Sequence, residues 1–249
     1  MDRLSRKVLP RLLAAVALGA IAAPMIPTPS FADSPGDTGW VPLRREDGIV
    51  VSRKEVSGSP FLALRGEGDV DEPPLLVGSV LVDVARSREW VDSVADARVL
   101  RWISASEYVA YTHVGTPITM ADRDFVTDVK IEVDPAAKRV VVRVHSVADP
   151  LAPTTGYVRG EIRESTMVLT SQRDGRSTHV VAELHADPKG GVSAWLVNLF
   201  QKNWGYNTLE GLRARAAKRG TQVAPWLRTL LTDSGFFTPV PSSATTASR

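Results

Sequence analysis

Seven segments between residues 98 and 186 show the two-residue alternation of β-strands, and this run constrains the fold more than any other feature of the chain. In the fourth segment, valines alternate with residues such as Arg143 and His145, so one side is apolar and the other is polar. Only short turns separate the segments, which is typical of an antiparallel sheet. Such a sheet has one apolar face that must be covered. The segments are residues 98–103, 107–115, 123–133, 139–147, 157–163, 166–172 and 177–186.

The stretch after the last strand, residues 187–217, is long enough to cover that face. Its apolar residues recur at spacings of three and four, which predicts one face of a helix. Gly205 and Gly211 each cost about 1 kcal/mol relative to alanine, so this helix depends on what it packs against. The pattern predicts an α+β fold in which a curved antiparallel sheet grips a long C-terminal helix. The apolar positions are Val192, Trp195, Leu196, Leu199, Phe200, Tyr206, Leu209, Leu212 and Ala216.

The other elements have weaker signals. Residues 49–56 and 61–66 are predicted as strands of a hairpin, and residues 40–48 as a short helix or turn. Pro73 and Pro74 begin a helix over residues 75–84, and a second short helix follows at 87–91. Residues 224–233 form an amphipathic helix that either packs on the sheet or lies at a membrane surface.

The N-terminal residues have the pattern of an export signal. Four basic residues precede an apolar run that ends in prolines and in Ser30-Phe31-Ala32. We expect cleavage after Ala32 and a periplasmic or secreted protein, with an uncleaved anchor as the alternative. Residues 33–48 are then a flexible lead-in and residues 238–249 a disordered tail. Removal of residues 1–32 takes away four of the 30 basic residues and one of the 28 acidic residues, which leaves a net charge of −1. This balance gives no support for nucleic-acid binding.

Motifs for familiar catalytic chemistry are absent from the sequence. The chain has no cysteine, no HExxH and no GxSxG, and no glycine fingerprint for a dinucleotide. His179 and His185 share the polar side of one strand, where solvated histidines are the favoured interpretation over a metal site. Asp122, Asp124 and Asp128 are interpreted in the same way, as a solvated strand face. We therefore expect no cofactor, no metal and no catalytic residue.

Four short motifs, in this order and spacing, resemble the START (StAR-related lipid transfer) family. They are the sequences at residues 122–126, 157–159, 187–190 and 195–198. The resemblance covers residues 49–219, followed by a short C-terminal helix at 220–237. It implies the helix-grip fold, an internal hydrophobic tunnel and one bound lipid or sterol-like molecule. It also implies a carrier that contacts membranes transiently, and we expect a monomer.

The resemblance assigns candidate residues to the tunnel. Where steroid-carrying members have a buried acid and a buried arginine, this chain has Ala110 and Val129, which implies a more apolar tunnel. For Arg123 a structural ion pair is the favoured role, with ligand contact as the alternative. Leu151 and Pro153 belong to a loop that is expected, together with the C-terminal helix, to form the gate. The expected wall comprises Ala110, Thr112, Arg123, Phe125, Val129, Val142, Val144, Met167, Leu169 and Leu184, with Trp195, Leu199 and Phe200 from the helix.

Two other functions stay open at this stage. A cyclase or hydrolase on the same scaffold would need polar residues that converge inside the tunnel, and the inward positions offer only Arg123, Tyr108 and Thr112. An exported interaction module would have a collapsed core in place of a tunnel. Binding and transport of one hydrophobic ligand is the function that the sequence favours.

Overall fold

The computed structural model of the protein describes residues 39–91, 93–116, 120–194, 197 and 202–237. The predicted signal at 1–32, the first part of the lead-in and the predicted tail at 238–249 lie outside these residues. Within the described ranges, no helix has both the length and the apolar character needed to cross a membrane.

A single large sheet forms the body of the structure. Its strands are β1 Val41–Glu46, β2 Ile49–Lys54, β3 Ala63–Val70, β4 Val94–Ser104, β5 Glu107–Val114, β6 Arg123–Asp134, β7 Arg139–Ser146, β8 Val158–Arg159, β9 Glu161–Gln172 and β10 Ser177–Asp187. The order across the sheet is β1-β2-β3-β10-β9-β7-β6-β5-β4, and these neighbours pair antiparallel. β8 pairs in parallel with the first residues of β6. The predicted antiparallel sheet is therefore confirmed.

Two strand predictions were wrong in detail. Residues 41–46, predicted as a helix or turn within a flexible lead-in, form the edge strand β1. Because almost all side chains of β1 are exposed, its sequence lacks the alternation of apolar and polar residues that marks a strand. The feature that indicates this strand is the Asp47-Gly48 pair, which forms a hairpin turn with two positive φ values. Residues 161–172 form one continuous strand in place of the two predicted segments, and the hydroxyl of Ser165 at the predicted break donates to the carbonyl of Glu183 on β10.

Three α-helices are described: α1 Pro74–Val82, α2 Trp204–Ala217 and α3 Pro225–Asp233. Short 3-10 segments occur at Val84–Glu89 and Arg173–Gly175. The prediction of one helix through residue 217 was wrong at residues 202–203, which form a turn before α2 begins. Asparagine and glycine are weak helix formers, and Asn203 and Gly205 lie at this point.

The helix α2 packs so closely on the sheet that its backbone touches the backbone of a strand. A methyl group placed on Gly66 of β3 would lie 2.5 Å from the carbonyl oxygen of Gly205, so the strand and the helix meet where both lack side chains. Further along α2, Leu209 and Leu212 are fully buried. We call the sheet face that receives α2 the inner face.

The helices α1 and α3 also cover the inner face, although the sequence had suggested that the C-terminal helix alone would do so. Leu227 and Leu231 of α3 are fully buried in the main core, together with Val77 of α1. A methyl group on Gly78 would lie 3.1 Å from Leu227. Of the two alternatives for this last helix, the structure shows packing into the core.

The opposite, outer face has a small apolar cluster of its own. Val109, Tyr111 and Val126 are buried there, and Ala152 from the loop between β7 and β8 packs against them. The loop therefore shields the back of the sheet.

Candidate functional site

The sheet register brings most of the predicted tunnel wall onto the inner face. Thr112 pairs with Phe125, Val129 with Val144, and Val142 with Met167. Directly paired residues of antiparallel strands project from the same face. The parity that the sequence predicted is therefore present in the structure, whereas contact with a ligand remains a prediction.

Part of this wall is filled core. Leu169 has no exposed surface, and a methyl group placed on Gly78 of α1 would lie 3.5 Å from it. Ala110, Val129 and Val142 belong to the same buried cluster. These four predicted wall residues therefore stabilise the packing of the sheet against the helices.

The rest of the wall is different, because its side chains are partly exposed. We call this set the Phe125 patch; it extends over the five adjacent strands β5, β6, β7, β9 and β10. Hydroxyl residues lie between its apolar members, and two of these bond to backbone: Ser165 donates to the carbonyl of Glu183, and Ser146 accepts from the N–H of Ile162. The members of the patch are Thr112, Phe125, Val144, Met167 and Leu184.

Arg123 lies beside this patch and is buried, and within the described residues backbone carbonyls take the place of the expected ion-pair partner. Its guanidinium donates to the carbonyl oxygens of Pro188 and Lys189, each at 3.3 Å, and also to that of Ala121. These carbonyls satisfy the buried cation in place of a carboxylate. Arg123 thus connects the start of β6 to the turn that leads toward the C-terminal helix.

That turn has an unusual backbone. Lys189, Gly190 and Gly191 all have positive φ, which for a lysine is uncommon. The ammonium of Lys189 contacts the carboxylates of Glu161 at 2.7 Å and Asp187 at 2.8 Å. The Asp-Pro-Lys-Gly-Gly sequence predicted a turn here, but not the ion pairs that fix its geometry.

The predicted helix contributions to the wall, Trp195, Leu199 and Phe200, lie outside the described residues. Between them, Val197 is buried, and its N–H donates to the carbonyl of Ser193 at 3.2 Å.

The start of the predicted gate loop, which carries Leu151 and Pro153, is held by the buried carboxylate of Asp149, while its role as a gate stays a prediction. The carboxylate of Asp149 accepts from Arg101 at 2.7 Å and from the N–H of Leu151 at 2.9 Å. These contacts, and Ala152 in the outer cluster, fix the loop against the outer face. Leu151 itself is 56% exposed. Further along the chain, Val158 of β8 lies against Gly190 in the turn before the C-terminal helix.

A buried ion pair that the sequence did not reveal fixes the end of this loop. Asp124, predicted on a solvated face, is fully buried and accepts from Arg159 at 2.7 and 3.1 Å and from Thr155 at 2.7 Å. Burial alone would raise the pKa of Asp124, but the hydrogen bonds from Arg159 and Thr155 outweigh it and hold the pKa below its usual value. Thr155 comes from the loop and Arg159 from β8, 31 and 35 residues away from Asp124, so sequence spacing alone could not show the pair.

The polar residues considered for catalysis do not converge. Arg123 is occupied by backbone carbonyls, and Tyr108 is buried between Trp102 and Trp226, at centroid distances of 4.9 and 6.5 Å. Burial raises the pKa of Tyr108. Tyr108 is therefore suited to packing rather than to proton transfer.

The histidines also have structural partners. His179, interpreted from sequence as a solvated residue, contacts Asp69 at 2.7 Å and Glu67 at 3.3 Å. Hydrogen bonding to Glu67 and then to Asp69 raises the pKa of His179 to about 9. His185 bonds to the hydroxyl of Ser59 at 3.0 Å. Within the described part of the chain, no group of three or more His, Asp or Glu residues is arranged to hold a metal ion.

Comparison with known proteins gives consistent results. The family described as START domain matches residues 35–220 of this chain. An uncharacterized protein of Pseudomonas aeruginosa is 31% identical over 186 residues, which cover 72% of this chain and 88% of that protein.

Solved structures share the fold. A fragment of a STAR-related lipid transfer protein from Xanthomonas axonopodis has a TM-score of 0.65 and 28% identity, over 72% of this chain and 99% of that chain. Human StAR-related lipid transfer protein 5 has a TM-score of 0.65 at 22% identity, over 75% of this chain and 90% of that chain. The second likeness concerns the fold alone.

Proposed function

Since this chain belongs to the START domain family, we propose that it binds one hydrophobic molecule, a lipid or a sterol-like compound, against the Phe125 patch. The observation that carries the proposal is a contrast within one sheet face. Next to the helices, inner-face residues such as Val142, Leu169 and Val180 are buried, whereas the patch keeps Phe125, Val144 and Leu184 partly exposed. A partly exposed apolar surface that continues a core is the kind of surface that a hydrophobic ligand covers.

The driving force in this proposal is desolvation. Each CH₂ group that leaves water gains about 0.8 kcal/mol, so an acyl chain or a fused ring system supplies most of the affinity. Orientation needs a few polar groups. Thr112 is the best candidate, because within the described residues its hydroxyl has no hydrogen-bond partner while Ser146 and Ser165 are engaged. The aliphatic residues of the patch then contact the apolar part of the ligand.

Beyond binding, we propose that the protein transports its ligand. We infer a carrier that takes up and releases its ligand where the turn at residues 188–191 separates from β6 and β8. The carbonyl contacts of Arg123 and the contact of Val158 with Gly190 are the described interactions that such a movement would break. The signal pattern predicted at residues 1–32 favours a periplasmic or secreted site of action, and release would include a transient membrane contact.

Native mass spectrometry of the protein purified from its own compartment tests the proposal. We expect one additional mass per chain, which solvent extraction identifies as a lipid or sterol-like molecule. A protein that arrives empty and takes up no member of a panel of lipids and sterols would contradict it. Secretion is checked separately by N-terminal sequencing of the exported protein, for which we expect a start at Asp33.

A further inference from the structure

A groove that shares no residue with the Phe125 patch has the charge and the shape of an anion site. It lies where the 3-10 segment Val84–Glu89 and the following Trp90 meet the C-terminal half of α2, and it has a volume of about 460 Å³. Gly211 and Ala214 of α2, two small residues, are part of its lining. The backbone carbonyl of Trp90 approaches Gly211 so closely that any side chain at residue 211 would collide with it.

Cations dominate the rim of this groove. Arg88, Arg215 and Lys218 line it together with one carboxylate, Glu89, so that these four groups carry a net charge of +2. Glu89 lies 3.3 Å from Arg215 and 3.8 Å from Lys218 and neutralises part of this charge. Arg88 is exposed, and in the described part of the chain it has no acceptor. The groove thus has more positive charge than its single carboxylate, Glu89, can neutralise.

The wall of the groove also contains a donor without an acceptor. Trp90 is 9% exposed, and among the described residues its indole N–H has no hydrogen-bond partner. A buried donor that stays unpaired costs about 1–3 kcal/mol, so native proteins rarely leave one without reason. Because this nitrogen is itself shielded from solvent, an anion in the groove becomes its acceptor through a rotation of the indole ring toward the groove.

We propose that this groove binds a phosphate group, carried either by a soluble phosphorylated molecule or by the headgroup of an anionic lipid. Phosphate fits better than a carboxylate because it presents several acceptor oxygens and up to two negative charges to a site with a net charge of +2. The volume exceeds that of one phosphate and leaves room for the glycerol or sugar that carries it. The proposal does not depend on ligand binding at the Phe125 patch, since the two sites have no residue in common.

The test follows the indole N–H signal of Trp90 by ¹H–¹⁵N NMR while inorganic phosphate is added at constant ionic strength. The signal is assigned by its loss in Trp90→Phe. We expect a saturable shift with a Kd on the order of 1 mM or below. Arg88→Gln should weaken binding about tenfold, the effect of losing one charge-assisted hydrogen bond. Arg219→Gln, which removes the same charge outside the groove lining, is the matched control and should bind as the wild type does.

Two further arms identify the source of the phosphate. Glycerol 3-phosphate that shifts the Trp90 signal, without retention on vesicles, indicates a soluble ligand. Retention on phosphatidylcholine vesicles that contain phosphatidic acid, reduced by Arg88→Gln but not by Arg219→Gln, indicates a lipid headgroup. A Trp90 signal unmoved by every phosphate compound, or an equal loss in both arginine variants, would overturn the proposal.

Discussion

Two glycines set the distance between the C-terminal helix and the sheet. Because Gly66 and Gly205 meet backbone to backbone, Gly66→Ala must push α2 away from β3. We expect a loss of about 1–3 kcal/mol in the free energy of unfolding, the usual cost of overpacking. Chemical denaturation measures it. Gly156→Ala is the control, since nothing lies within 4 Å of a methyl group there, and a loss as large as that of Gly66→Ala would contradict this explanation.

The His179 cluster makes stability depend on pH on the alkaline side. The pKa of His179 is raised from 6.5 to about 9 by its bonds to Glu67 and Asp69, so the charged form is favoured in the folded state. Its contribution is complete below pH 6.5 and is lost as the pH rises through about 9. We expect a decline of about 1 kcal/mol across that window, reduced by the partial exposure of the cluster.

Urea denaturation of the wild type and of His179→Gln across this pH range tests the assignment. The variant should be less stable near neutral pH and should show a flatter dependence on pH. A wild-type slope that persists unchanged in His179→Gln would assign the pH dependence to other groups.

At the scale of elements, α3 is part of the domain rather than an appendage. Leu231 is fully buried on the side of α3 that faces the core, and Arg228 on the same helix is exposed. We expect Leu231→Ala to cost about 2–5 kcal/mol and Arg228→Ala to stay within about 0.5 kcal/mol of the wild type. Thermal unfolding of the two variants is the measurement. Equal melting temperatures would show that α3 does not hold the domain together.

Local patterns explain which elements the sequence could predict. Strands β5 to β7 and β10 were found because one buried face imposes a two-residue period. The edge strand β1 was missed because it has no buried face, and the turn at residues 202–203 was missed because apolar spacing continues through it. The period thus reports burial rather than the hydrogen-bonded element itself.

For the candidate site, as for the strands, the sequence predicted the face on which residues lie but not the contacts they make. Strand parity placed Phe125, Val144 and Met167 on the inner face. It could not show that these three stay partly exposed while Val142 and Leu169, on the same face, are buried in the core. The position of the gate loop depends on the pair between Asp149 and Arg101, 48 residues apart. Contacts at such a separation leave no local pattern in a single sequence.

For the whole molecule, the division of the inner face determines where a ligand can bind. Among the described residues, three α-helices share one sheet face, and α1 and α3 fill their part of it with leucine and valine side chains. The Phe125 patch stays partly exposed, beside the buried Arg123 and the turn at residues 188–191. Stability and binding thus use neighbouring parts of the same surface.

The most direct test fills the patch and measures ligand binding. Val144→Trp places a large side chain on the inner face of β7, and Val141→Trp places the same side chain on the outer face of the same strand. Uptake of a fluorescent fatty acid and a fluorescent sterol is measured for the wild type and both variants, with folding checked by circular dichroism. We predict binding of one ligand per chain to the wild type and to Val141→Trp, and its loss in folded Val144→Trp. Undiminished uptake by folded Val144→Trp would contradict the assignment of the ligand to this face.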